Sequence, residues 1–404
     1  MRSVFFKDAP VNRIIIAALA VFLVQAALSM YYNNNALTFS GIEAFYSLNK
    51  AGALADMDIA KAFNEPGRRE SDSLLYPVLI APVYKLAGRA NAVAAVYVLD
   101  LLLFAVTLLL FYKIALRFLG KEAAFISMAI YAASAPVELG AFSGTASALS
   151  IMLFAAALYF SVFSVEKKKY SGFSASLILM ALNGWAAAVF AACFLVFAVM
   201  KANEKKLRKN YGAVLSYTLA GLAAASAALL FWVFVENFSF DYLKNNGMLD
   251  IKTWMVDAFF KDGFLWSKAL PPFLAVFFYI ALFVKAGAEI KKSEVSDYTL
   301  VLLLSVAALV MEFAAGFSPR PGTYLFMPQF FICLIICAVA GVREFSAYFE
   351  LRKNPYFTAG NIFLGIIIFM LLYSCIYTFN RTIERNGNIQ YIAGDAAVSR
   401  YMER

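Results

Sequence analysis

The chain contains no histidine. That absence removes Ser-His and Cys-His catalysis, histidine metal sites and any imidazole-based pH switch. Charge is scarce as well, at 15% of residues against about 25% in an average soluble domain. Only four cysteines are present, and Cys193, Cys333, Cys337 and Cys375 all lie inside apolar runs. A disulfide framework on an exported face is therefore not expected. Cys333 and Cys337 share a helix face at i,i+4 spacing, and with no acid or histidine beside them they read as small packing residues. A phosphate-cradling glycine-rich pattern is also missing. Any chemistry must rest on Asp, Glu, Lys, Arg, Tyr or the backbone.

Apolar residues fill the space left by these absences. They make up 63% of the 404 residues, and the mean hydropathy is +0.73. A membrane-crossing helix needs about 20 mostly apolar residues. Such runs occur at 14–31, 92–112, 122–137, 146–165, 212–235, 270–286, 298–316, 323–341 and 361–379. The first reads as an uncleaved span, because Tyr31-Tyr32-Asn33 offers no small-residue cleavage site. A further apolar stretch, 172–200, is broken at Asn183-Gly184-Trp185 and flanked on both sides by lysine clusters. Matching basic flanks predict a hairpin of two short helices that returns to the side it left. The expectation is an all-α polytopic membrane protein of about 11 membrane segments, counting the hairpin as two. Residues 1–379 would form the transmembrane domain and 380–404 a tail on the outer face.

The net charge of +9 follows from the same arrangement. With the N-terminus in the cytoplasm, 20 of the 35 Lys and Arg fall inside against 9 acids, whereas the outer segments hold 15 of each sign. This is the positive-inside pattern, so the basicity reports orientation and not a nucleic-acid partner. It places the polar loops 32–91 and 236–269 outside, in a plasma membrane. Soluble nucleotides are scarce on that side, and an activated substrate there would be carried by a lipid.

The first outer loop holds most of the candidate chemistry. Glu43 follows the first span, with Tyr46 three residues later. Asp56-Met57-Asp58 could hold a divalent ion through oxygen ligands, although a surface pair is the commoner meaning of a bare D-x-D. Residues 75–88 are apolar but only about 14 long and contain two prolines, too short to cross and suited to an interfacial or re-entrant helix. Asp100 lies about 12 Å inside the second span, where a charge costs ~2.5–3.5 kcal/mol and so faces a cavity or a partner. Glu138 sits in a short outer turn. Glu312 and Arg320 either pair across another outer turn or leave Arg320 to bind a phosphate with its planar fork. The aromatics from Phe238 to Trp266 suit a helix lying at the bilayer surface, with sugar stacking as the alternative.

Together these motifs resemble the GT-C superfamily of polytopic glycosyltransferases, in particular the dolichyl-phosphate-mannose mannosyltransferase-like and lipid A aminoarabinose-transferase-like enzymes. The resemblance rests on Glu43 and Tyr46 after the first span, and on Tyr76-Pro77-x-Leu79 running into Tyr84-Lys85-Leu86-x-Gly88. It continues through Arg117-Phe118-Leu119-Gly120, Ser134-Ala135-Pro136, and Arg320, Tyr324 and Pro328 late in the chain. It covers residues 1–165 well and the late spans loosely.

The resemblance implies transfer of a sugar from a polyprenyl-phosphate donor to an acceptor at the outer face, with inversion and no required cofactor. Glu43 would be the catalytic base, since a carboxylate near apolar lipid can take a hydroxyl proton, and Glu138 a second acid. Arg320, Tyr324 and Lys85 would contact the donor phosphate, and Tyr46, Tyr76 and Asp100 the substrate. Three positions depart from the family pattern. Ile42 replaces the first acid of the usual pair, Thr145-Ala146-Ser147 stands where relatives often have Thr-Glu, and Tyr76 stands where some relatives carry a lysine before the proline. These departures support the rival expectation, a non-catalytic GT-C-like subunit or a protein that binds or moves lipid-linked substrates. A secondary transporter is disfavoured, because no internal repeat is visible and polar residues at mid-span are few.

Overall fold

A computed structural model of the chain describes residues 42–57, 73, 75–88, 91–134, 146–163, 170–183, 185–202, 212–221, 223, 296–301, 303–305, 307 and 327–348, with single helical positions at 277–284 and 361–376. Among the described residues there are helices and no strands. Eight continuous helices run in the order α1 (Ile42–Ala55), α2 (Leu75–Ala87), α3 (Ala92–Leu119), α4 (Lys121–Ala132), α5 (Ala146–Phe163), α6 (Tyr170–Leu182), α7 (Trp185–Ala202) and α8 (Met327–Tyr348). The chain divides into two units. One comprises 1–68, 77–148 and 346–404, and the other 69–76 and 149–345.

In the first unit, α1 and α2 approach closely at Gly52, where an added Cβ would lie 3.1 Å from the ring of Tyr84. The larger element is α3, whose 28 residues extend about 42 Å. One face, Val96, Asp100, Phe104, Thr107, Leu108 and Phe111, is buried. The opposite face carries Val98, Leu102, Val106 and Leu109 at 39–57% exposure. A helix that buries a carboxyl and a hydroxyl while presenting leucine and valine outward inverts the soluble pattern, as a lipid-facing helix does. Thr107 donates its hydroxyl to Leu103 O at 2.8 Å, a local bond that satisfies the group within the helix.

Gly120 alone joins α3 to α4. Its φ of +81° is a conformation glycine adopts without strain. Its N–H donates to Leu116 O, and its carbonyl accepts from Ala124 N–H. The two helices fold back on each other, and Phe111 stacks on Tyr131 with centroids 4.6 Å apart.

The second unit contains α5 from Leu149 onward, α6, α7 and α8. Phe154 meets Phe190 and Phe194 edge-on at 5.0 and 5.8 Å, and Phe173 meets Phe194 at 6.0 Å. Such edge-to-face pairs add about 0.5–1.5 kcal/mol each beyond burial. α6 and α7 pack together, with Asn183 between them, where the Asn-Gly sequence breaks the apolar run. In α8, every residue from Phe331 to Val342 is buried. A helix apolar all round is the central element of its unit. Its Cys333 and Cys337 are buried free thiols.

Among the described residues two helices, α3 and α5, are long and apolar enough to cross a membrane. The first span, the second outer loop, most of the late spans and the tail lie outside the described residues. Helix ends depart from the apolar windows in a consistent way. α3 continues past 112 through Lys113 and Arg117, both exposed, because a helix is ended by its backbone and not by a hydropathy boundary. α4 stops at Ala132, five residues before the apolar run does. Pro136 has no N–H for the carbonyl of Ala132 and disfavours helix in the residue before it.

Candidate functional site

Glu43 and Tyr46 occupy the first two turns of α1. The helix ends at Asp56, whose N–H donates to Gly52 O at 3.1 Å, and Met57 turns the chain with a φ of +61°. Asp56 is exposed. Its proposed companion Asp58 lies outside the described residues, as do Glu138, Arg320 and Tyr324. No cluster of three or more potential metal ligands occurs among the described residues.

Lys85 is exposed in the last turn of α2, next to the Tyr84 that faces Gly52. Glu43 is nine residues before Gly52, about 13 Å along the α1 axis. The fold thus brings the two helices together while setting Glu43 and Lys85 at different heights along them. Pro82 inside α2 removes one helical N–H and frees the carbonyl of Val78. Exposed Val78, Leu79 and Leu86 give this short helix an apolar outer surface, as an interfacial helix has.

Tyr76, at the start of α2, is fully buried. Its N–H donates to Ser73 Oγ at 3.0 Å, and Ser73 in turn donates to Asn183 Oδ1 at 2.5 Å. Asn183 Nδ2 donates to Ser150 Oγ at 2.5 Å. Sequence reasoning marked Asn183 as a helix break and gave no role to either serine. Nothing in local patterning ties residues 110 positions apart. Asp100 is completely buried on the inner face of α3. A buried carboxyl amid Val96 and Phe104 is retained at a substantial desolvation cost.

The described residues define a helical architecture with two helices of membrane-crossing length and a short apolar helix ahead of the first. Comparison with known proteins specifies it further. The family model of dolichyl-phosphate-mannose-protein mannosyltransferases matches residues 71–233. The fold is similar to that of the Archaeoglobus fulgidus oligosaccharyltransferase in its apo form, at 12% identity and a TM-score of 0.54, over 91% of this chain and 56% of that one.

The same archaeal enzyme tethered to an acceptor peptide with the NVT sequon matches at 11% identity and a TM-score of 0.53, covering 91% and 55%. Its complex with zinc and sulfate matches at 12% and 0.53, covering 90% and 53%. The chain spans about half the length of these structures. No curated protein matches it. A family model over residues 71–233 and a similar fold thus point in the same direction.

Proposed function

We propose that this chain is a GT-C glycosyltransferase that moves a sugar from a polyprenyl-phosphate donor to a lipid, glycan or protein acceptor at the outer face of the plasma membrane. The observation that carries the reading is the mannosyltransferase family match over residues 71–233, within a fold like that of an oligosaccharyltransferase. The positive-inside charge pattern supports a cytoplasmic N-terminus and about 11 membrane segments.

In this mechanism Glu43 accepts the proton of the acceptor hydroxyl. The freed oxygen attacks the anomeric carbon as the bond to the phosphate oxygen breaks, and the polyprenyl phosphate leaves with the electron pair. Attack opposite the leaving group inverts the centre. The first turn of α1 suits a carboxylate base, because the helix N-terminus favours negative charge there. Arg320, with Tyr324 and Lys85, neutralises the departing phosphate. Tyr46, Tyr76 and Asp100 contact the substrate and Glu138 serves as a second acid; no metal is required, and Asp56 with Asp58 reads first as a surface pair, a divalent ion there being the lesser alternative.

Transfer from radiolabelled polyprenyl-phosphate sugars tests this directly. Glu43→Gln is expected to lower kcat by about 10²–10⁴, the usual contribution of a general base. Equal turnover by the variant removes Glu43 from the mechanism. A second reading is favoured by Ile42, which stands where relatives have the first acid of a pair. In that reading the chain is a non-catalytic subunit or a binder of lipid-linked substrates. Saturable lipid binding without turnover of any donor would select it.

A further inference from the structure

Ser73, Ser150 and Asn183 lie 33 to 110 residues apart in sequence, yet all three are at least 94% buried and bonded in series. The series has a fixed direction. Asn183 donates through Nδ2 to Ser150 and accepts through Oδ1 from Ser73. The single hydroxyl hydrogen of Ser73 is therefore committed to Asn183, which leaves its oxygen to accept from Tyr76 N–H. The first N–H groups of any helix lack intrahelical partners, and Pro77 has none to offer. One serine oxygen thus holds the start of α2 and also ties it to Asn183. The Asn183 backbone is itself held at the end of α6, its N–H donating to the carbonyls of Leu179 and Met180.

We infer that Asn183 is a positioning residue. Through Ser73 it fixes the point within the first outer loop where α2 begins. This role rests on the reading that the loop and α2 carry the reacting groups, and it concerns their placement and not contact with substrate. Short hydrogen bonds in an apolar surrounding suit the task, because little water can enter to replace them.

Hydrogen–deuterium exchange on the full-length protein in lipid nanodiscs tests the clasp without any activity. Asn183→Leu changes no residue of α2 and leaves the Ser73 hydroxyl in place, but removes the partner to which that hydroxyl donates. It is expected to speed exchange across residues 73–80 by about tenfold, the loss of a buried hydrogen bond, while α3 stays unchanged. Ser150→Ala, which leaves the α6–α7 junction intact, should give a smaller rise and decides the matter if Asn183→Leu does not fold. Wild-type exchange in both foldable variants overturns the clasp.

Transfer kinetics then test positioning. Asn183→Leu and Ser73→Ala should each lower kcat about tenfold with the donor KM unchanged, and Ser73→Thr should restore it. Faster exchange with unaltered kcat would make the cluster structural only and overturn the positioning role. If the wild-type protein transfers nothing from any donor, the glycosyltransferase reading fails and the positioning role with it, while the exchange result still decides the clasp.

Discussion

Replacing Gly341 by alanine should destabilise the protein, although the same exchange in an ordinary helix stabilises it. Gly341 lies in the fully buried stretch of α8. An added Cβ would sit 2.8 Å from the carbonyl carbon of Phe277 and 3.2 Å from its Cα, with the carbonyl oxygen nearer still. Non-bonded carbons rest at about 3.5–4.0 Å, so the two backbones must separate by roughly 1 Å. No side-chain end is available to swing aside. Overpacking of this kind costs about 1–3 kcal/mol, and the separation also strains the edge-on pair of Phe277 and Phe345 at 5.4 Å. Alanine in place of glycine returns about 1 kcal/mol of helix propensity. Because both sides of this contact are backbone, the cost falls toward the top of that range, and the balance is a net loss of up to about 2 kcal/mol.

Gly365 supplies the control, being helical and exposed with no atom within 4 Å of an added Cβ. Gly365→Ala should gain up to about 1 kcal/mol. Thermal unfolding in detergent, followed by tryptophan fluorescence, compares the two. Opposite signs are expected. A Gly341→Ala protein as stable as wild type, or shifted in the same direction as Gly365→Ala, refutes the close approach of α8 to Phe277.

Two further outcomes follow from the same structure. Leu102→Arg places a charge on the outward face of α3 and should reduce membrane insertion of that segment by about 2.5–3.5 kcal/mol; a glycosylation-tag insertion assay reads this, and unchanged insertion would contradict a lipid-facing surface. Gly172→Ala should cost less than Gly341→Ala, no more than about 1 kcal/mol, because its Cβ meets the rim of the Phe160 ring at 2.8 Å and the ring can turn. A loss matching that of Gly341→Ala in the same unfolding assay would contradict this.

Helices of this chain announce themselves in sequence because apolar runs and backbone breakers are local signals. The interruption at Asn183 and the short helix before Gly88 are both visible from Asn-Gly and proline placement. Helix ends are less legible. Lys113 and Arg117 close a hydropathy window, yet their long side chains let α3 continue to Leu119. The contacts that lock helices together are hidden almost completely. Gly341 and Gly52 look like any glycine until a backbone or a tyrosine ring is found against them. The serines bonded to Asn183 carry no periodic signature, because a buried hydrogen bond across 110 residues depends on the finished fold. For the candidate site, sequence placed Glu43 after the first span, and the structure adds its position in the first turn of α1.

The one-residue joint at Gly120 bears on how the protein is made. With both polar backbone groups of the glycine already bonded at the turn, α3 and α4 form a helical hairpin with no slack between its arms. During synthesis neither arm can settle far from the other. The pair would therefore leave the insertion machinery as one unit, carrying its turn cations, Lys113, Arg117 and Lys121, together on the side where the hairpin closes.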